Sequence, residues 1–189
     1  MFKPALLVFL LLSACVLGSA STVSWSNVSL SDNNSGAFLN GFTIATSGTS
    51  FQLNLPNFSQ SDFASFSGEV DLGLTVTDGA SQIGAIQFTY FGLFDETFGS
   101  ANYFQTASGA TNSPLSGTFS ISPRTGFLTF ASQVGSSDLT TQLNLNDNGG
   151  LAGVTAVRFD IAAPEPATSG FLLLGVAVLG ALGLRRRVH

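Results

Sequence analysis

Through the middle of the chain, apolar and polar residues alternate with a period of two. Phe51, Leu53 and Leu55 fall on one side of a run whose other side is Gln52 and Asn54. Val70, Leu72, Leu74 and Val76 likewise oppose Asp71, Gly73, Thr75 and Thr77. Successive side chains of a strand point to opposite faces, so these runs predict half-buried β-strands. By the same pattern, strands are predicted over 22–30, 37–45, 50–55, 68–77 and 83–91, and again over 117–122, 126–131, 139–146 and 154–162. Thr141 interrupts the apolar side of the run from Leu139 to Leu145. Val154 and Ala156, followed after Val157 by Phe159 and Ile161, predict a slip or bulge in the last strand. The segment 94–116 is the most weakly patterned and reads as a long loop over one end of the fold. No stretch between the runs has the length and period of a crossover helix. Nine short strands separated by turn clusters predict an all-β protein, a two-sheet antiparallel β-sandwich or jelly roll.

At both ends the alternation gives way to continuous apolar sequence. Lys3 precedes the run Ala5 to Leu12, and Gly18-Ser19-Ala20 supplies small residues for cleavage. A positive start, an apolar centre and small residues form a secretory signal peptide, here residues 1–20 and a helix when inserted. Leu12-Ser13-Ala14-Cys15 offers an alternative, lipidation at Cys15. Cleavage after Ala20 is preferred, because Val16 and Leu17 continue the apolar run where a lipidated chain turns polar. Residues 21–163 then form the exported β-sandwich domain.

The other end has three parts in order. Pro164-Glu165-Pro166 forbids regular helix or sheet pairing and so stays extended. Residues 167–184 carry no charge. As a transmembrane helix they would reach about 27 Å, near the thickness of a bilayer's hydrocarbon core. Arg185, Arg186 and Arg187 follow as a basic stop favouring the cytoplasmic side. Taken together, Pro164-Glu165-Pro166-Ala167-Thr168, the Gly- and Leu-rich span and the closing arginines resemble the PEP-CTERM sorting signal of Gram-negative bacteria. Ala163 stands where that signal often has Val. The resemblance covers residues 164–189 and implies that the protein is the substrate of an exosortase, a transpeptidase-like membrane enzyme with a catalytic cysteine. Pro164, Glu165 and Pro166 would be its recognition site. The span would hold the protein in the inner membrane until processing, after which it passes to the cell surface or outside the cell.

Composition narrows what the body can do. Of 189 residues only 9% are charged, and there are 21 Gly and 18 Phe. Between Ser21 and Ala163, Arg124 and Arg158 are the sole basic residues against ten acidic ones, a net charge of −8. Two scattered cations cannot neutralise a phosphate backbone, which excludes nucleic acid as a partner. The same stretch has no His, Cys or Lys. Ser-His-Asp and Cys-His catalysis, Schiff-base chemistry and ordinary zinc sites are thereby excluded, and no cofactor or metal is predicted.

Carboxylates remain. Glu69 and Asp71 are two apart on a predicted strand and so share a face. Their spacing is that of a Glu-x-Asp pair in jelly-roll glycoside hydrolases, but the further Glu such enzymes carry is absent from Leu72-Gly73-Leu74. Asp95-Glu96 reads as a solvated loop, and Asn144 to Gly150 as a turn rather than a calcium loop. Trp25, Tyr90 and Tyr103 are the aromatics that could stack on sugars. The sequence thus predicts a non-catalytic structural or adhesive β domain, exported to the cell surface or extracellular matrix. A carbohydrate-binding module taking extracellular polysaccharide is the first alternative, and a carboxylate-dependent glycoside hydrolase the second.

Overall fold

A computed structural model describes residues 23–34, 36–60, 66–79, 83–95, 99–147 and 150–162. The predicted signal peptide with Cys15, the sorting tail with Pro164, Glu165, Pro166, Arg185, Arg186 and Arg187, and Glu96 lie outside them. Among the described residues no helix is long and apolar enough to cross a membrane.

Among the described residues eleven strands follow one another: β1 (Val23–Asp32), β2 (Thr43–Ser47), β3 (Ser50–Asn54), β4 (Ser59–Gln60), β5 (Phe66–Asp78), β6 (Ile83–Phe94), β7 (Gly99–Ala107), β8 (Leu115–Phe119), β9 (Arg124–Val134), β10 (Ser136–Asp147) and β11 (Ala152–Ala162). They form two antiparallel sheets, one ordered β1-β5-β10-β7-β8 and the other β2-β3-β11-β6-β9, with β4 beside β11. The expected two-sheet, all-β architecture is what the described residues adopt.

The core lies between the sheets, on the faces the alternation marked. From the first sheet come Val70, Leu72, Leu74, Val76, Leu139, Leu143 and Leu145. The second contributes Phe51, Leu53, Ile86, Phe88, Leu128, Val157 and Phe159. Rings bridge the layers: Trp25 packs on Phe51 at 5.6 Å, and Tyr103 on Phe88 at 5.7 Å. Close aromatic pairs in these geometries add to their area burial. Two glycines let rings lie flat across a sheet. Gly126 is paired with Phe88 and Gly117 with Tyr103, and a side chain at either position would run into its partner's ring.

Three expectations about elements need correction. The strand predicted over 37–45 is a turn until Thr43. Its cause is Asp32, whose carboxylate accepts from the backbone N–H groups of Asn34, Gly36, Phe38 and Leu39. Desolvation pushes that carboxyl up, and the four donors, led by Gly36, more than reverse it, holding it below the usual range. The turn delivers Phe38 into the core against Phe58, at 5.1 Å. Second, the segment read as a long loop contains β7, an interior strand paired with both β10 and β8. Third, the two-residue β4 was not anticipated. The bulge expected in the last strand is present, where the β11–β6 register shifts between Val154 and Ala156.

Candidate functional site

The outer face of the five-stranded sheet is built from the polar halves of the alternating strands. Register aligns them in rows across the sheet. One row runs Ser31, Asp71, Gln142, Phe104, Ser116. The row on one side is Ser29, Gly73, Thr140, Thr106, and on the other Glu69, Asn144, Asn102, Thr118. A depression of about 390 Å³ lies over Gly73, lined by Ser29, Asp71, Phe104, Thr140 and Gln142 among others. The glycine makes the floor low, and the hydroxyl of Ser29 crosses it to approach the Gly73 carbonyl at 3.5 Å.

Much of the surrounding polar surface is paired within itself. Thr118 donates to Asn102 at 2.6 Å, Thr75 to Asp138 at 2.7 Å, and Thr106 and Thr140 share a hydrogen bond. The side chains of Asp71, Gln142 and Asn144 have no such partner among the described residues. Asp71 and Gln142 stand open at the depression, and Asn144 in the row beside it.

Phe104 is the exception on this face, a large apolar side chain left 42% exposed in a polar field. Its neighbour makes the exception sharper. Gln105 is completely buried, pointing into the core where the pattern would place an apolar residue. There its carbonyl oxygen accepts from the Tyr90 hydroxyl at 2.9 Å and from the Thr141 hydroxyl, and its amide donates to the Thr106 carbonyl at 3.0 Å. Strand β7 therefore has Phe outside and Gln inside.

The aromatics singled out from sequence lie elsewhere. Tyr90 is fully buried and Tyr103 is 8% exposed, both inside a ring cluster with Phe88 and Phe119. Trp25 is half-buried on Phe51 and donates from Nε1 to the Gly48 carbonyl at 3.4 Å. Phe104 went unnoticed because it falls in the segment read as a loop. The available signal was the order Ala101, Tyr103, Gln105, Ala107, which defines an inner face only if Gln105 is allowed inside.

Glu69 and Asp71 do share the outer face of β5, one on each of two adjacent rows. Asn144, Asn146 and Asp147 are strand residues of β10, which corrects the turn predicted from Asn144. Among the described residues no group of three or more His, Cys, Asp or Glu side chains could hold a metal. On the outer face of the other sheet, Arg158 donates to Asp160 at 2.8 Å, while Ser50 donates to the same carboxylate. The hydrogen bond and charge of Asp160 raise the guanidinium pKa still further, so this basic group is already engaged.

Residues 162–187 match the PEP-CTERM protein-sorting motif, the tail identified from its order of prolines, span and arginines. No curated protein matches the chain. Solved structures similar to it include the carbohydrate-binding module TmCBM61 in complex with β-1,4-galactotriose, at 10% identity and a TM-score of 0.32. That match covers 75% of this chain and 88% of the other. Another is the family 11 carbohydrate-binding module from Clostridium thermocellum in complex with a β-1,3-1,4-mixed-linked tetrasaccharide, at 12% identity and a TM-score of 0.30. It covers 78% of this chain and 92% of that one. A third is the glycoside hydrolase domain of Endo-D from Streptococcus pneumoniae R6, at 8% identity and a TM-score of 0.33, covering 73% of this chain but 22% of that one. At these scores the likeness carries no functional argument.

Proposed function

We propose that this is an exported protein, sorted and processed at its C-terminus by an exosortase, whose β-sandwich serves as a non-catalytic structural or adhesive domain at the cell surface or in the extracellular matrix. The sorting motif at residues 162–187 carries this reading. A signal peptide over residues 1–20, with Lys3 ahead of an apolar run, supplies the matching entry to the export route. Residues 167–184 anchor the precursor in the inner membrane, with Arg185 to Arg187 on the cytoplasmic side.

Absence of catalysis is part of the proposal. It is supported by a body without His, Cys or Lys and by a Glu69–Asp71 pair that lacks a further Glu nearby in sequence. A second reading, a carbohydrate-binding module, is favoured by the outer face of the five-stranded sheet, where Phe104 is exposed among open polar side chains.

Routing is tested by expressing the full chain and a chain ending at Ala163, each in cells with and without exosortase. The full chain is expected to leave the inner membrane only where exosortase is present. The truncated chain is expected to escape membrane retention in both. Identical localisation and identical mass of the two chains in both strains would refute the sorting half of the proposal.

A further inference from the structure

Burial of apolar area alone does not explain the inversion in β7. Exchanging the two side chains would bury a ring and expose an amide, as burial of apolar area favours, although it would take the shared acceptor from the Tyr90 and Thr141 hydroxyls. Keeping Gln105 inside requires two hydroxyls, from Tyr90 and Thr141, to satisfy its carbonyl. Keeping Phe104 outside leaves a large apolar side chain 42% exposed on a surface made mostly of Ser, Thr, Asn, Gln, Asp and Glu. Departures from local pattern that a fold compensates elsewhere are expected where a site is being served.

We propose that the outer face of the five-stranded sheet, centred on Phe104 and the depression over Gly73, binds a neutral polysaccharide chain. A sugar ring presents an apolar face of C–H groups and a rim of hydroxyls. Phe104 supplies a flat apolar platform for the first, and Asp71, Gln142 and Asn144 supply open acceptors and donors for the second. The row from Ser31 through Asp71 and Gln142 to Phe104 crosses three strand spacings, roughly 14 Å, enough to lay a short stretch of extended chain across the strands. Such an arrangement, one apolar surface with a few convergent polar groups, is the common composition of small-ligand sites.

Charge selects among polymers. The strands of this sheet contain six acidic residues, of which Glu69, Asp71 and Asp138 stand on the outer face, and no basic residue, since Arg124 and Arg158 lie in the other sheet. An anionic polysaccharide would meet like charge without any counter-charge, so the face fits a neutral one. This inference rests on the second, carbohydrate-binding reading above and names the class of polymer and the surface that would hold it.

The test uses protein released from cells expressing the full chain, run on native gels containing a soluble neutral β-glucan, a neutral galactan, or the anionic polymer alginate. Wild type is expected to be retarded by at least one neutral polymer and not by alginate. F104A and Q142A are each expected to lose at least about tenfold in affinity, the loss typical of a central contact residue. F127A, an exposed ring on the other sheet, should bind as wild type does, and unchanged melting curves would establish that all three variants fold. Retention by neither neutral polymer, preference for alginate, or full retention of F104A would each overturn the inference. None of these outcomes would touch the routing result, which separates failure of this site from failure of the sorting proposal.

Discussion

Tyr90 ties the two sheets together. It projects from β6 into the core, stacks on Phe119 at 5.5 Å, and donates its hydroxyl to Gln105 of the opposing sheet. Burial pushes its pKa up, because a phenolate here would lose its hydration; the neighbouring Tyr103 adds to the rise, and the hydrogen bond with Thr141 opposes it. A folded pKa raised above the unfolded value means the native state holds its proton longer. The associated stability is complete below about pH 10, the ordinary tyrosine value, and is lost as pH rises beyond it. Urea unfolding followed by the fluorescence of Trp25 should therefore show stability falling above about pH 10, with a smaller fall in Y90F. At neutral pH Y90F should cost about 1 kcal/mol, the usual net worth of one buried hydrogen bond. An equal alkaline fall in both proteins would show that Tyr90 is not the group responsible. This network was half legible in the sequence. Thr141 stood out as a break in an apolar face, but its partner Gln105 lies far along the chain and could be found only through register.

Strand β9 shows how an element's environment decides its behaviour. It closes one edge of its sheet, and an unpaired edge of eleven residues would be a template for another chain. The loop after β7 blocks it. Asn112 donates from Nδ2 to the Phe127 carbonyl at 2.8 Å and accepts from the Thr129 N–H at 2.9 Å, occupying both groups as a neighbouring strand would. Thr111 adds a backbone bond to the Thr129 carbonyl at 2.7 Å. N112A should lower stability by about 1 kcal/mol and expose this edge beside the half-exposed Phe127. Light scattering over a concentration series should then reveal self-association absent from wild type; a monomeric N112A would refute the protective role. At this scale legibility followed the clarity of alternation. β3 and β5, with uninterrupted apolar faces, were found nearly to their ends. β7 was missed because its inner face, Ala101, Tyr103, Gln105 and Ala107, is small or polar, and its outer face contains a Phe. The run from Ala37 failed for a different reason: four backbone donors on Asp32 outweigh the local pattern.

Across the whole molecule, strand count and the absence of helical periodicity sufficed for a two-layer β fold, whereas sheet order did not follow from them. β5 pairs with β1 and β10, and no local feature of Phe66–Asp78 announces partners so distant in sequence. The ends are the opposite case. The C-terminal signal is linear, readable without any fold, and the sorting motif at 162–187 is recovered from residue order alone. Charge links ends and body in a way that can be measured. The full chain has a net charge of −5 and a pI near 4.4, yet Lys3 and Arg185 to Arg187 supply four of its six basic residues. If export removes residues 1–20 and exosortase processing removes the tail, Arg124 and Arg158 are left against ten acidic groups. Two-dimensional electrophoresis should then resolve a precursor near pI 4.4 and a smaller, more acidic mature species, with the second missing from cells that lack exosortase. A mature species as basic as the precursor would mean that the arginines stay with the protein. Because a body this acidic repels its own copies, the surface retention we propose needs a directed contact with a different partner, and the ring-bearing face around Phe104, acidic but without a cation, is where the fold offers one.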